Sequence, residues 1–357
     1  MDLFIRIFLA PLVFASIFSY LITPLVIKLA WRLNIIDDPK KHKHIKVIHT
    51  YPVPRGGGLA VFLAILISVF LFLPIDKHIL GILLGAILIT IVGLLDDKYD
   101  LSPYLRLGLQ FVAALFPVLA GIGISFVTNP INGKIIDLSN PKIIFDFYGM
   151  HSIWILSSLF AIFWIVYMMN AVNFGAKGVD GQLSGVMVIS ALTIAFLSLK
   201  FINDPSQLVV LILAVILAGA FLGFLPYHIY PQKIMPSFGG SNLGAYILAI
   251  LSIISTTKVG VLAVVLAIPL IDTGYVLIRR VLSGKSPFWG DRGHLHHRLL
   301  DAGLSKRQVA YFYWFATSLL GVVALNLNSR NKFYTIVGVA IFVGGLILWL
   351  THRQLKK

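Results

Sequence analysis

The chain has 357 residues, 58% of them hydrophobic and 12% charged, with no cysteine and a formal net charge of +15. A soluble domain carries about 25% charged residues, so this balance excludes an ordinary soluble enzyme, and the lack of thiols excludes disulfides and thiolate metal sites. The pI is near 9.9 and the mean hydropathy +0.92, but Lys and Arg cluster in short loops between apolar runs, a pattern that reports membrane topology rather than nucleic-acid binding.

Runs of about 17 to 25 apolar residues are long enough to cross a bilayer as helices. Eleven such runs are read in chain order, near 4–30, 58–74, 78–95, 106–126, 152–172, 183–202, 207–227, 242–257, 259–280, 309–327 and 333–351. The eighth and ninth are separated by little more than Thr256-Thr257-Lys258, so the count turns on that break. The first run is too long for a cleavable signal peptide and lacks a small-residue cleavage site. The predicted fold is all-α, a single polytopic membrane domain over residues 1–357 with no internal repeat. Its active-site loops are expected at 31–57, 96–105, 170–182, 228–241 and 281–308.

Loop charge sets the expected orientation. Arg32, Lys40, Lys41, Lys43, Lys46 and Arg55 share one loop, and Arg279, Arg280, Lys285, Arg292, Arg298, Lys306 and Arg307 follow the ninth run. With eleven crossings these fall on one side together with the carboxyl terminus, which the positive-inside rule makes cytoplasmic. The amino terminus is then outside, and the protein is expected in the plasma (inner) membrane with its chemistry on the cytoplasmic face.

All fourteen acidic residues are Asp, so carboxylate chemistry must come from a short list. In chain order, the first polar loop holds Asp37-Asp38-Pro39 and His49-Thr-Tyr-Pro-Val-Pro-Arg55-Gly-Gly-Gly58. It reads either as a basic topogenic loop or as a ligand loop stiffened by prolines, with glycines allowing close backbone approach. Asp96 and Asp97 end the third run. Paired carboxylates beside a membrane suit a metal–diphosphate site, because hard divalent cations take oxygen ligands and bridge phosphates; simple interfacial solvation is the alternative. Asn170, Asn173, Lys177 and Asp180-Gly181 end the fifth run, where amides, a cation and glycines suit a phosphate-cradling loop or a plain polar turn. Last comes Asp291-Arg292-Gly-His294-Leu-His296-His297-Arg298. Arginines flanking histidines suit a nucleotide diphosphate better than zinc.

Together these loops resemble the polyprenyl-phosphate N-acetylhexosamine-1-phosphate transferases, in the WecA- and TagO-type branch more than the MraY-type. The resemblance covers roughly residues 10 to 350. It rests on Asp38-Pro39, His49, Pro52, Pro54, Arg55 and Gly57-Gly58; on Gly93, Asp96, Asp97, Leu101 and Gln110; on Asn170, Asn173 and Asp180-Gly181; and on Pro269, Asp272, Arg279, Arg280, Ser286-Pro287-Phe288, Asp291 and His294-Leu-His296-His297. The chain departs from the family pattern in four places: Arg106 stands where lysine is usual, His228 replaces an Asn, Gly175-Ala176-Lys177-Gly178 replaces a shorter Asp-Gly segment, and Phe238 stands where the pattern has a metal-binding Asp.

The resemblance implies transfer of N-acetylhexosamine-1-phosphate, foremost GlcNAc-1-phosphate, from a UDP-sugar to undecaprenyl (polyprenyl) phosphate with release of UMP, opening lipid-linked glycan synthesis. It implies Asp96, Asp97 and Asp180 as catalytic, with Mg²⁺ (or Mn²⁺) on Asp97 and Asp180. The substrate-binding set is Lys46, His49, Arg55, Asn170, Asn173, Lys177, Asp291, Arg292, His294, His296 and His297. Expected partners are the lipid phosphate, the UDP-sugar and the membrane, with no nucleic acid and a homodimer left open. Phe238 and Lys177 keep a second reading in view, a catalytically degenerate protein binding lipid carrier or nucleotide-sugar. A transporter is disfavoured, because only Asp272 is a candidate intramembrane charge.

Overall fold

The computed structural model describes residues 2–40, 48–129, 131–146, 150–255 and 259–355. The chain is mostly helical. Its helices are α1 (Ile5–Arg32), α2 (Gly57–Phe72), α3 (Lys77–Tyr99), α4 (Pro103–Leu119), α5 (Ile155–Gly175), α6 (Gln182–Leu199), α7 (Pro205–His228), α8 (Ser237–Ile254), α9 (Val259–Val265), α10 (Ala267–Leu282), α11 (Leu295–Asp301), α12 (Lys306–Asn326) and α13 (Ser329–Leu355).

Each expected apolar run has a helix at its place, but the count is coarser than eleven. Among the described residues eight helices are long and apolar enough to cross a membrane, or nine if the pair α9–α10, bent by 78° at Leu266, is one span. Helices α2 and α4 have only 16 and 17 residues. At 1.5 Å per residue that is about 25 Å, short of a hydrocarbon core about 30 Å thick. The break at Thr256-Thr257-Lys258 lies outside the described residues.

The fold is also not purely α. Three two-stranded antiparallel sheets occur: β1 (Ile36–Asp37) with β2 (Val53–Pro54), β3 (Phe126–Thr128) with β4 (Ile135–Asp137), and β5 (Lys142–Asp146) with β6 (Met150–Trp154). The last two pairs fill the connection between α4 and α5. Their β-branched and aromatic residues favour extended backbone, and they are too short to show as a run. Caps fix several helix starts. Asp76 accepts from the Ile79 amide at 2.8 Å, Ser102 from Leu105 at 3.2 Å, and Ser305 forms a capping box with Gln308.

Helix α8 is buried along nearly its whole length and organises the site. Glycines let α2 and α3 approach it. A Cβ on Gly58 would fall 2.4 Å from the Gly240 amide nitrogen, and one on Gly93 would fall 2.4 Å from Gly239 Cα. Only hydrogen fits at such crossings. Backbone bonds then tie the end of the first loop to the start of α8: Arg55 N donates to Ile35 O, Met235 N to Pro54 O and Gly57 N to Met235 O, each at 2.9 Å. Two expected loops are shorter than read, because Asp96 and Asp97 belong to the last turn of α3 and residues 237–241 are already helical.

Candidate active site

The expected loops converge on one cavity of about 600 Å³. Its lining includes His49 and Arg55 from the first loop, Lys177 and Asp180 from the α5–α6 connection, and Gln232 and Ser237 from the approach to α8. Phe288 and Gly290 close it from the segment before α11.

Asp96 and Asp97 do not line the cavity themselves but pair with Arg106 and Arg55, which do, where α3 passes the start of α8. Both are buried. Arg106 Nη1, from α4, donates to both oxygens of Asp96 at 3.1 Å, and Arg55 Nε lies 3.1 Å from Asp97 Oδ1. Arg55 Nη2 also reaches to 4.0 Å from Asp96. A buried carboxylate is costly unless paired, and here each has its own guanidinium. The other face of Arg106 lies over the Phe238 ring, 5.2 Å from its centroid, so the residue at the family's Asp position meets this arginine as a cation–π partner.

Lys177 lines the cavity and donates to Asn173 Oδ1 at 2.6 Å; the same oxygen accepts from Ser241 Oγ at 2.8 Å. Crowding by protein atoms, with Arg55 adding like charge, pushes the Lys177 ammonium down to about 8, although Asp97 and Asp96 pull it back up. Asp180 is buried and accepts from Gln232 Nε2 at 3.1 Å and from the Gln232 amide at 3.3 Å, with Lys306 Nζ at 3.9 Å. Burial raises its carboxyl above the ordinary value, opposed by Lys306. His49 Nε2 stands 3.8 Å from Asp37 Oδ1.

The histidine segment is more interior than a solvated surface loop. His294, His296 and His297 are buried, and their rings follow one another with centroids 5.6 and 4.4 Å apart. His294 Nδ1 lies 2.9 Å from Asp272 Oδ2, and the Leu295 amide donates to Asp272 Oδ1 at 2.8 Å. Helix α10 thereby fixes the start of α11. A Cβ on Gly178 would fall 2.1 Å from the His296 ring, so the Lys177 loop and the histidine segment are in direct contact. Asp291 is clamped by Arg279 Nη2 at 2.6 Å, Arg280 Nε and Nη2 at 3.2 Å and the Gly293 amide at 2.8 Å. Burial works to raise its carboxyl, but the bonds from Arg280 and Gly293 and the nearby arginine charges hold it well below the usual range. Arg292 Nη2 bonds Asp301 at 2.5 Å.

Not every expected residue reaches the cavity. Asn170 donates to Gln110 Oε1 at 2.7 Å, and Gln110 donates to Asn242 Oδ1 at 2.5 Å, a buried amide chain joining α5, α4 and α8. Asp291 is committed to its two arginines. Lys46 lies outside the described residues. Conversely, Tyr51, Gln232 and Lys306 belong to the site without having been expected. Tyr51 donates its hydroxyl to Gln232 O at 3.2 Å, and Lys306 starts a helix whose cap, Ser305, was the readable feature.

The donor set does not fit the divalent ion expected on Asp97 and Asp180. Mg²⁺ takes carboxylate or carbonyl oxygens with free lone pairs. Here Asp96 is taken by Arg106, Asp180 by Gln232, and Asn173 Oδ1 by Lys177, while Asp97 Oδ1, 3.1 Å from Arg55 Nε, makes no hydrogen bond and is the one open carboxylate oxygen among these residues. Among the described residues no three His, Asp or Glu side chains come together as a ligand group.

The sequence pattern of Glycosyl transferase family 4 matches residues 79–256. A protein of Mycobacterium leprae named decaprenyl-phosphate N-acetylglucosaminephosphotransferase is 30% identical over 92% of this chain and 87% of its own length. A Bacillus subtilis protein named "Probable undecaprenyl-phosphate N-acetylglucosaminyl 1-phosphate transferase" is 28% identical over 90% and 86%. An Escherichia coli undecaprenyl-phosphate alpha-N-acetylglucosaminyl 1-phosphate transferase is 26% identical over 92% and 89%.

Proposed function

The chain belongs to Glycosyl transferase family 4, and from that premise we propose that it transfers GlcNAc-1-phosphate from UDP-GlcNAc to a polyprenyl phosphate such as undecaprenyl phosphate. Its product opens a lipid-linked cell-wall or surface glycan. The observation that carries this reading is the convergence of Arg55, Lys177 and Asp180 on one cavity, with Asp96 and Asp97 paired to its lining arginines.

In the transfer, an oxygen of the lipid phosphate attacks the β-phosphorus of the UDP-sugar. The bond from that phosphorus to the bridging oxygen breaks, and UMP leaves with the electron pair. Two anions must meet in line, so positioning and charge neutralisation carry most of the catalysis. Arg55 and Lys177 offer charge-assisted hydrogen bonds to the diphosphate. Asp97 positions the lipid phosphate and takes its proton where one is present. Arg106 holds Asp96 in place through two hydrogen bonds. Asp180 holds the cavity wall through Gln232, while His296, against Gly178, and its neighbours His294 and His297 set the uridine side. No step is routed through a divalent ion, because the one open carboxylate oxygen, on Asp97, stands against Arg55 and has no second and third ligand beside it among the described residues.

In this reading α2 and α4 cross the membrane as short spans beside α8 and the bent pair α9–α10 is one crossing. That gives eleven spans with the carboxyl terminus and the cavity on the cytoplasmic side of the plasma membrane. A second reading, binding without transfer, is favoured by Phe238 lying under Arg106. Purified protein incubated with labelled UDP-GlcNAc and undecaprenyl phosphate separates the two. Labelled lipid that is lost in Asp96→Asn and Asp97→Asn supports transfer, whereas UDP-GlcNAc binding without labelled lipid supports the second reading.

A further inference from the structure

Three strong hydrogen-bond acceptors beside the cavity each face a side-chain cation. Asp96 faces Arg106, Asp97 faces Arg55, and Asn173 Oδ1 faces Lys177. Lys177 differs from the two arginines in having no carboxylate as ion-pair partner among the described residues; its hydrogen bond is to the neutral amide oxygen of Asn173. It lines the open cavity, and Arg55, Arg106, Asp96 and Asp97 all act on it electrostatically. An ammonium has three donors, and only one is used on Asn173. A divalent ion entering here would have to displace Lys177 from Asn173 or sit against its like charge.

The far side of the group is closed in the same way. Phe238 puts an aromatic ring, not an oxygen ligand, beside Arg106. Ser241, one turn further along α8, spends its hydroxyl on Asn173. A nucleoside diphosphate entering the cavity therefore meets an ammonium with two unspent donors where a metal would otherwise bridge it to the protein.

We propose that the Lys177 ammonium is the resident cation of this site and binds the donor's diphosphate directly, so that nucleotide binding needs no divalent ion. The proposal rests on the transferase reading for the identity of the nucleotide, not for the existence of the site. Lys177 thereby acts as a tethered point charge, held by Asn173 at the end of α5. Its cost is loss of the geometric rigidity of a coordinated metal. Its gain is a site filled with its cation at any metal concentration.

The test is calorimetric binding of UDP to the full-length protein in nanodiscs, with EDTA and with excess Mg²⁺. Wild type binds UDP in EDTA with an affinity within about threefold of that in Mg²⁺. Lys177→Met weakens binding in EDTA by about tenfold or more, the worth of a charged hydrogen bond, whereas Lys177→Arg retains it. Lys177→Asp restores binding only when Mg²⁺ is present. UDP binding by wild type that requires Mg²⁺ overturns the proposal, as does Lys177→Met binding like wild type in EDTA. If Lys177→Met does not fold, the wild-type comparison and Lys177→Arg decide alone. UDP binding that requires Mg²⁺, with labelled lipid formed when it is supplied, would remove the proposal and leave the transferase. Metal-independent UDP binding without any labelled lipid would remove the transferase and leave the proposal.

Discussion

Substituting Gly93 by alanine tests whether the site depends on the approach of α3 to α8. The added Cβ would fall 2.4 Å from Gly239 Cα and 2.9 Å from its nitrogen. Ordinary contact needs about 3.5 Å, so the two helices must separate locally by about 1 Å. The atoms in the way are backbone, and no side-chain rotation relieves them. Overpacking of this kind costs about 1–3 kcal/mol. The larger effect falls on chemistry, because Asp96 and Asp97 lie one turn beyond Gly93 while Phe238 and Ser237 precede Gly239. A displacement of about 1 Å in a phosphoryl-transfer site lowers turnover by about a hundredfold. The assay pairs thermal unfolding in detergent with the rate of lipid labelling. Gly108→Ala serves as control, since nothing lies within 4 Å of a Cβ there. If Gly93→Ala matched Gly108→Ala in both measurements, the glycine crossing would not be what positions the aspartates.

Other consequences are equally direct. Asp291→Asn leaves Arg279 and the buried Arg280 without their carboxylate and should destabilise the fold by about 3 kcal/mol, read as a lowered unfolding temperature with UDP binding lost in parallel. Because the folded protein holds the Asp291 carboxyl below its usual range, its contribution is present above the ordinary carboxylate pKa and is lost as pH falls through the folded value; Asp291→Asn should therefore flatten the acid limb of the stability profile. With Lys177 held at about 8 against 10.5 in an unfolded chain, UDP affinity should fall as pH rises past about 8. Folding stability should rise over the same interval, because the unfolded state binds the extra proton. An affinity that stays flat to pH 10 would show that the ammonium does not bind the nucleotide. A reporter fused after Lys357 should be cytoplasmic, and tags in loops 31–57 and 285–308 should resist labelling from outside intact cells; labelling there would reverse the orientation.

Much of the site was legible because charge is scarce in this chain. With fourteen Asp and no Glu, the Asp96–Asp97 pair and Asp180 stood out; Asp180 lines the cavity, while Asp96 and Asp97 are buried beside its lining arginines. Span positions were readable from apolar runs, since lipid imposes that pattern on every crossing. What the sequence hid was direction and depth. Asn170 and Asn173 are three residues apart on α5, yet Asn173 meets Lys177 while Asn170 joins a chain through Gln110 to Asn242. His296 and His297 read as nucleotide-binding because arginines flank them, but their depth was not legible: both are buried, His296 against Gly178. Gln232 and Lys306 join Asp180 only through long-range packing, which no local pattern encodes. The hairpins between α4 and α5 were missed for another reason: strands of three to five residues leave no run to count.

The central claim is that a sugar-1-phosphate, not a sugar, moves to the lipid, and the nucleotide product reports this most directly. Purified protein turning over UDP-GlcNAc with undecaprenyl phosphate should release UMP in equal amount to the labelled lipid formed, resolved by ion-exchange chromatography. Release of UDP instead would mean that the bond broken is the one between sugar and phosphate, and would contradict the account.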